Sequence, residues 1–256
     1  MISGVGWGFD LPYEEAHFQG HRLLVVVPGD LSDDAPVILA LHGALGNGEE
    51  SFGVFYPGTD FPPCLWLFPD GPVQVRQRSR RTLLTRHAWY DRFTHRYSDM
   101  KNSREFLASL LDHYSKWAVG EDGEGRILDK PRPVIIVGES QGGVMTFETG
   151  LNYPGTFLAM ISVDGFIEYP EKTLARPLAP KRLPILMQNG TLDPVIQKED
   201  AQATRSRLQG MGYHPLLRFY GVGHQITQRM KEDLWSFLRG VILEKSRLPA
   251  VAEGNP

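Results

Sequence analysis

The sequence has one cysteine, no long apolar run and nearly balanced charge. The single Cys64 excludes an internal disulfide, which suits a reducing compartment, and we expect a cytoplasmic protein. No stretch approaches the roughly 20 consecutive apolar residues that a membrane-spanning helix needs. A net charge of -3 over 256 residues gives no basis for binding nucleic acid or an anionic membrane. We therefore expect a globular protein with no nucleic-acid partner and no integral membrane contact.

Short apolar runs recur along the chain and alternate with amphipathic stretches. The runs predicted as strands are His21–Pro28, Val37–Gly43, Cys64–Pro69, Pro133–Gly138, Phe157–Val163, Pro184–Gln188 and Pro215–Tyr220. The predicted helices are Asn102–Ala118, Val144–Leu151, Glu199–Met211 and Thr227–Glu244. Several runs are apolar at every position, which is typical of strands covered on both faces. This alternation predicts an α/β fold: a mostly parallel central sheet of about seven to eight strands, helices on both faces, and one domain over residues 1–256.

Two stretches interrupt this pattern, and we expect irregular loops at 71–100 and 166–182. The first carries five arginines and no acid between Gly71 and Tyr90, namely Arg76, Arg78, Arg80, Arg81 and Arg86. Such a basic loop either recruits an acidic substrate or is a solvated surface loop, and the charge run by itself favours the second interpretation.

A candidate nucleophile follows the strand at Pro133–Gly138. The chain reads V-I-I-V-G-E-S-Q-G-G-V-M, which places Ser140 in a G-x-S-x-G motif between a strand and a helix. Glycines permit the sharp turn that lifts a serine off the sheet. The N-terminus of the following helix would favour a developing oxyanion. The alternative is a chance match to a short pattern.

A serine nucleophile needs a base, and the base needs a carboxylate. His224 lies in G-V-G-H directly after the last predicted strand, and we predict that it is the base. Asp193, in N-G-T-L-D-P, is the predicted acid, and Asp164, in S-V-D-G, is its rival. The order Ser, Asp, His holds for either acid. Asp193 could also be a simple turn residue before Pro194.

An oxyanion would need two backbone N–H donors. Gln141, which follows the serine, is the first predicted donor. The second should come from the glycine-rich loop L-H-G-A-L-G-N-G, with Ala44 as first choice and Leu45 as second. A simple turn at His42–Gly43 is the alternative.

Six motifs in order resemble the α/β-hydrolase superfamily and, within it, the phospholipase/carboxylesterase family that includes acyl-protein thioesterases. They are L-H-G at Leu41–Gly43, F-P-D-G-P at Phe68–Pro72, W-Y-D at Trp89–Asp91, G-E-S-Q-G-G at Gly138–Gly143, N-G-T-L-D-P-V-I at Asn189–Ile196 and G-V-G-H at Gly221–His224. The resemblance implies an α/β-hydrolase fold and a cofactor-free, metal-free hydrolysis of a carboxylic ester or thioester through an acyl-enzyme. It carries the catalytic roles to Ser140, Asp193 and His224, implies substrate contacts for Trp89 and Leu45, and allows a homodimer.

Three features depart from that family. Glu139 precedes the serine where an apolar or aromatic residue is usual, and we expect it to point into solvent, the alternative being that it tunes His224. Ala44 separates the first histidine motif from Leu45, and the basic stretch is longer than usual, which leaves an anionic substrate open. The alternatives to an esterase or thioesterase are acyl transfer, lactone opening or amide cleavage by the same three residues in a biosynthetic pathway, and a binding protein without catalysis.

Overall fold

The computed structural model describes residues 13–78, 83–91, 93–94, 96–120 and 124–247. In chain order its elements are β1 (Glu14–Phe18), β2 (His21–Val26), β3 (Val37–Leu41), α1 (Gly48–Phe55), β4 (Leu65–Pro69), β5 (Val73–Arg78), β6 (Leu83–Ala88), α2 (Tyr97–Tyr114), β7 (Trp117–Val119), β8 (Gly125–Ile127), β9 (Val134–Glu139), α3 (Gln141–Asn152), β10 (Phe157–Val163), α4 (Pro170–Thr173), β11 (Ile185–Gly190), α5 (Lys198–Gly210), β12 (Leu216–Tyr220) and α6 (Gln228–Arg247).

Eight strands form one continuous sheet in the order β1-β2-β4-β3-β9-β10-β11-β12. β2 pairs antiparallel with both β1 and β4, and every pair from β4 to β12 is parallel. All seven predicted strands are present in it, and the predicted mostly parallel sheet is confirmed. The sequence pattern did not indicate the first strand, whose residues are mostly exposed.

Helices cover both faces of the sheet because its central strands are apolar on both sides. Every residue of β3 and β4 is buried. Alternate residues of β3 enter two separate cores: Leu39 belongs to the core that includes residues of α2, α3 and α5, whereas Ile38 belongs to the core that includes residues of α1 and α6. Such strands read as continuous apolar runs, and this is why they were recognisable in the sequence.

The predicted irregular loop at 71–100 contains regular structure instead. β5 and β6 form an antiparallel hairpin, with Val75 opposite Arg86 and Arg76 opposite Thr85. The arginines concealed the alternation of side chains that marks a strand. α2 begins at Tyr97, earlier than the predicted Asn102, and ends at Tyr114 because the chain then turns into β7. Of the predicted irregular segment 166–182, only the single turn α4 is helical.

The sheet brings several loops to one edge. β3, β9, β11 and β12 are parallel members of the sheet, so their carboxyl ends share an edge. The loops that leave these ends carry the predicted site residues. Within the described part of the chain, no helix combines the length and the apolar character needed to cross a membrane.

Candidate active site

Ser140 occupies a strained turn between β9 and α3. Its backbone has φ 52° and ψ -117°, a conformation that a residue with a side chain rarely adopts. The turn is held by the Ser140 N–H, which donates to Val163 O at 2.8 Å, and by the Ser140 carbonyl, which accepts from Val144 N–H at 3.0 Å. Strain of this kind places the Ser140 hydroxyl at the N-terminus of α3, clear of the strand.

The glycines of the motif are required by close packing. A Cβ on Gly138 would collide with the backbone of Gly142, and a Cβ on Gly142 would lie 2.6 Å from the carbonyl oxygen of His42. Real Cβ atoms do not approach backbone oxygens so closely. The motif therefore lets the turn, the start of α3 and the loop after β3 come into contact.

Three predicted residues form one hydrogen-bonded chain. His224 Nε2 lies 2.9 Å from Ser140 Oγ, and His224 Nδ1 lies 2.6 Å from Asp193 Oδ2. Since the carboxylate can only accept, Nδ1 carries the proton, and Nε2 is free to accept from the serine hydroxyl. The Asp193 side chain is wholly buried, and its Oδ1 accepts from the N–H groups of Val195 at 2.7 Å and Ile196 at 3.0 Å. This arrangement can remove a proton from Ser140.

Backbone pairing holds the loops of Asp193 and His224 together. Thr191 N–H donates to Tyr220 O at 2.7 Å, and Leu192 N–H donates to Val222 O at 3.0 Å. Gly190 permits this contact, since a Cβ there would lie 2.6 Å from the carbonyl oxygen of Gly223. The loop that carries the His224 imidazole is thus hydrogen-bonded to the segment that follows β11.

The rival acid Asp164 lies beside this chain but has another partner. Its Oδ1 accepts from Gly190 N–H at 2.9 Å, and its backbone is left-handed, with φ 45°. Burial raises the pKa of Asp164 from 3.8 to about 7, and the nearby Asp193 adds to the rise. Asp164, Asp193 and His224 place ligand-type atoms within 4.8 Å of one another, a cluster that the hydrogen bonds above already account for.

His42 supports the loop after β3, a role that sequence reasoning missed. The side chain is fully buried, and its Nε2 accepts from Gly71 N–H at 2.8 Å. Nδ1 therefore carries the proton and donates to Gly43 O at 2.6 Å. Burial lowers the pKa of His42 to about 4, so the ring is neutral. The buried position of the histidine, within an apolar strand run, was the available signal.

The Gln141 side chain connects the start of α3 to the segment of Trp89 and Tyr90. Its Oε1 accepts from Trp89 N–H and its Nε2 donates to Tyr90 O, both at 2.8 Å. Trp89 has no exposed surface, packs against the His42 ring with centroids 4.9 Å apart, and donates from Nε1 to His42 O at 2.8 Å. The predicted substrate contact of Trp89 is thus not available in this conformation, and the indole braces the loop instead.

The predicted oxyanion donors lie on the loop and the helix that flank Ser140. The N–H of Gln141 is at the start of α3, where helical N–H groups lack an acceptor in the helix. Ala44 and Leu45 are exposed, Leu45 at 40% and with φ 65°. The hydrogen bonds of the described residues include no acceptor for the N–H of either one. The second donor therefore stays a prediction, with Ala44 as first choice and Leu45 as second.

Glu139 does not point into solvent as predicted. Its Oε1 accepts from Gly43 N–H at 2.9 Å, which ties β9 to the loop after β3. Burial raises the pKa of Glu139, while Gly43 N–H and the His224 ring favour the charged form.

The basic hairpin is docked at its base onto the same loop. His87 N–H donates to Gly46 O at 3.3 Å, and Arg86 forms an ion pair with Glu50 at 3.2 Å. Arg76 is exposed. Arg80 and Arg81, as well as the side chain of Arg78, lie outside the described residues.

Comparisons with known proteins find relatives in one family. A model of the Phospholipase/Carboxylesterase family matches residues 21–242. Carboxylesterase SOBER1 of Arabidopsis thaliana is 25% identical over 206 residues, which cover 79% of this chain and 89% of that protein. Acyl-protein thioesterase 1 of Schizosaccharomyces pombe is 25% identical over 224 residues, which cover 85% of this chain and 96% of that protein.

Solved structures show the same fold. The crystal structure of Arabidopsis thaliana SOBER1 matches with a TM-score of 0.65 at 22% identity, over 81% of this chain and 100% of that one. The Bacillus cereus carboxylesterase matches with a TM-score of 0.64 at 16% identity, over 86% and 95% of the two chains. Because the family model spans the chain from β2 into α6, and the predicted α/β-hydrolase fold is confirmed, the protein belongs to the phospholipase/carboxylesterase family of carboxylic ester hydrolases.

Proposed function

We propose that the protein is a serine hydrolase that cleaves a carboxylic ester or thioester through an acyl-enzyme. Ser140 is the nucleophile, His224 the base and Asp193 the acid. The observation that carries the proposal is the hydrogen-bonded chain from Asp193 through His224 to Ser140, with contacts of 2.6 Å and 2.9 Å. The strained backbone of Ser140 supports it, since such strain is typical of functional sites.

The reaction follows from these contacts. Ser140 Oγ attacks the carbonyl carbon while its proton passes to His224 Nε2, and Asp193 stabilises the resulting imidazolium. The tetrahedral intermediate then collapses, and the leaving alcohol or thiol takes the proton from Nε2. Water then attacks the acyl-enzyme while His224 Nε2 takes its proton. The second tetrahedral intermediate collapses, the proton returns to Ser140, and the carboxylic acid is released.

The negative charge on the oxygen of the tetrahedral intermediate needs hydrogen-bond donors. The N–H of Gln141 and that of Ala44 or Leu45 are the groups proposed here, because they flank Ser140 on the helix and on the neighbouring loop. The loss of one such donor raises the barrier by roughly 3 kcal/mol. Leu45, exposed beside this position, is proposed to contact the acyl group.

The charge of the substrate, the oligomeric state and the cellular location are further predictions. An anionic substrate is supported by the exposed Arg76 on a hairpin whose base contacts the loop at Gly46. Turnover of a short ester with a carboxylate on its acyl chain, compared with its neutral analogue in wild type and Arg76→Ala, tests it. The homodimer and the cytoplasmic location are tested by sedimentation and by cell fractionation.

A fluorophosphonate probe and short p-nitrophenyl esters test the main proposal. We expect wild type and the control Ser206→Ala, an exposed position on α5, to be labelled and active. Ser140→Ala should lose both the label and the turnover. Folded wild type without label or turnover would support the binding protein, and labelled Ser140→Ala would mean another nucleophile. Faster acyl transfer to an added amine than to water would support the biosynthetic acyltransferase.

A further inference from the structure

Glu139 makes a contact that neither the family resemblance nor the proposed reaction requires. It is the last residue of β9 and immediately precedes Ser140. Its Oε1 accepts from Gly43 N–H at 2.9 Å, and the two residues are 96 positions apart in the chain. Gly43 immediately precedes Ala44 and Leu45, the two candidates for the second oxyanion donor.

The space around this hydrogen bond is tightly filled. A Cβ on Gly43 would lie 2.6 Å from Glu139 Oε1, 3.1 Å from Glu139 Cδ and 3.4 Å from Ser140 Cβ. The Glu139 carboxyl group and the Ser140 side chain therefore border the space beside the Gly43 Cα, which has no room for a side chain. A shift of Glu139 would move the loop relative to Ser140.

Both backbone polar groups of Gly43, the carbonyl and the N–H, form hydrogen bonds. Its carbonyl accepts from His42 Nδ1 at 2.6 Å and from Gly46 N–H at 3.1 Å, which closes the turn over Ala44 and Leu45. Its N–H has Glu139 as acceptor. The contacts to the carbonyl lie within the loop, whereas the contact to the N–H ties the loop to the strand that carries the nucleophile.

We propose that Glu139 is a positioning residue that holds the Gly43 backbone against Ser140 and so sets the second oxyanion donor at its working distance. The inference rests on the proposed function. The charge of the His224 ring, when it is protonated, favours the charged form of Glu139 and lowers the pKa of that carboxyl group. The hydrogen bond, rather than the charge, is the element that fixes the loop.

Two kinds of substitution separate the hydrogen bond from the charge. Glu139→Gln keeps an oxygen acceptor for Gly43 N–H, whereas Glu139→Met has similar length and no comparable acceptor. We expect Glu139→Met to lower kcat for a short neutral ester by about 10²-fold, since a small misplacement of a catalytic group costs that much, with little change in KM. Glu139→Gln should keep kcat within about fivefold, a margin well inside the effect of losing one donor. Glu199→Gln, on the exposed surface of α5, is the matched control.

Hydrogen exchange provides a readout that does not depend on activity. We expect the peptide that spans His42–Asn47 to exchange faster in Glu139→Met than in wild type, and Glu139→Gln to exchange like wild type. Glu139→Ala, which also removes the acceptor, replaces Glu139→Met if the latter does not fold.

Three results would overturn the inference: an unchanged kcat in the variants that lack the acceptor, an unchanged exchange of the loop in them, or an equal loss of kcat in Glu139→Gln. The proposed function and the role of Glu139 can fail separately. If wild type has no esterase activity, the proposed function fails while the exchange measurement still decides whether Glu139 holds the loop.

Discussion

The choice between the two buried acids gives the sharpest prediction. Asp193→Asn should abolish most of the activity, and Asp164→Asn should retain it. In Asp193→Asn the amide oxygen can still accept from Val195 and Ile196, whose N–H groups lie 2.7 Å and 3.0 Å from Oδ1. The amide nitrogen must then face His224 Nδ1, and two donors cannot share a contact of 2.6 Å.

The histidine would respond by changing its tautomer. With Nδ1 as acceptor, Nε2 carries the proton and points it at Ser140 Oγ, which lies 2.9 Å away. The ring can then no longer take the proton of the serine. The same change in a serine protease lowers kcat by about 10⁴, which corresponds to about 5 kcal/mol in the barrier.

Asp164→Asn has none of these consequences. An amide oxygen can replace Oδ1 as acceptor for Gly190 N–H, now at 2.9 Å. Asparagine tolerates the left-handed backbone at φ 45° about as well as aspartate. Asparagine also resembles the protonated acid that burial favours. We expect kcat/KM within about tenfold of wild type, or about 1.4 kcal/mol.

Steady-state kinetics on a short p-nitrophenyl ester, with circular dichroism to establish folding, measure both variants. Folded Asp164→Asn that loses more activity than Asp193→Asn would refute the reasoning and move the acid to the end of β10.

The structure supports three further predictions. The raised pKa of Asp164 means that the protonated acid stabilises the fold at low pH, and that this contribution disappears as pH rises from 3.8 towards about 7. In urea unfolding, the free energy of unfolding of Asp164→Asn should therefore rise relative to that of wild type as pH increases over that range. A difference between the two proteins that does not change with pH would contradict this prediction. Glu148→Ala removes a buried carboxylate that pairs with the half-buried Arg104 at 2.8 Å and accepts from the buried Thr173 hydroxyl, and it should cost about 3 kcal/mol in urea unfolding. Glu105→Ala, in an exposed pair, should cost less than about 1 kcal/mol. Gly142→Ala, whose Cβ would lie 2.6 Å from a backbone oxygen, should give little folded or active protein, while Gly240→Ala, in α6 with nothing within 4 Å, should raise the free energy of unfolding by about 0.5–1 kcal/mol.

The residues of the candidate site could be named from the sequence because their signals are local. A buried parallel strand is a continuous apolar run, and a tight turn after it needs glycine, so Ser140, Asp193 and His224 each followed a recognisable strand. The parallel sheet then brings the carboxyl ends of its strands to one edge whatever the loops contain. The sequence by itself thus determined the layered fold, the nucleophile Ser140 and the base His224, and it reduced the acid to a choice between Asp193 and Asp164.

Contacts between distant segments were decided only by the tertiary structure. The base of the arginine-rich hairpin docks on the loop at Gly46, and no local pattern encodes that contact. Glu139 turned inward because Gly43, 96 residues away, offers a buried N–H that needs an acceptor. Likewise, Asp193 rather than Asp164 faces the imidazole, because the left-handed backbone at Asp164 directs its carboxyl to Gly190. Local periodicity specifies which segments are buried, whereas the partner of each buried polar group depends on which chain segment lies next to it.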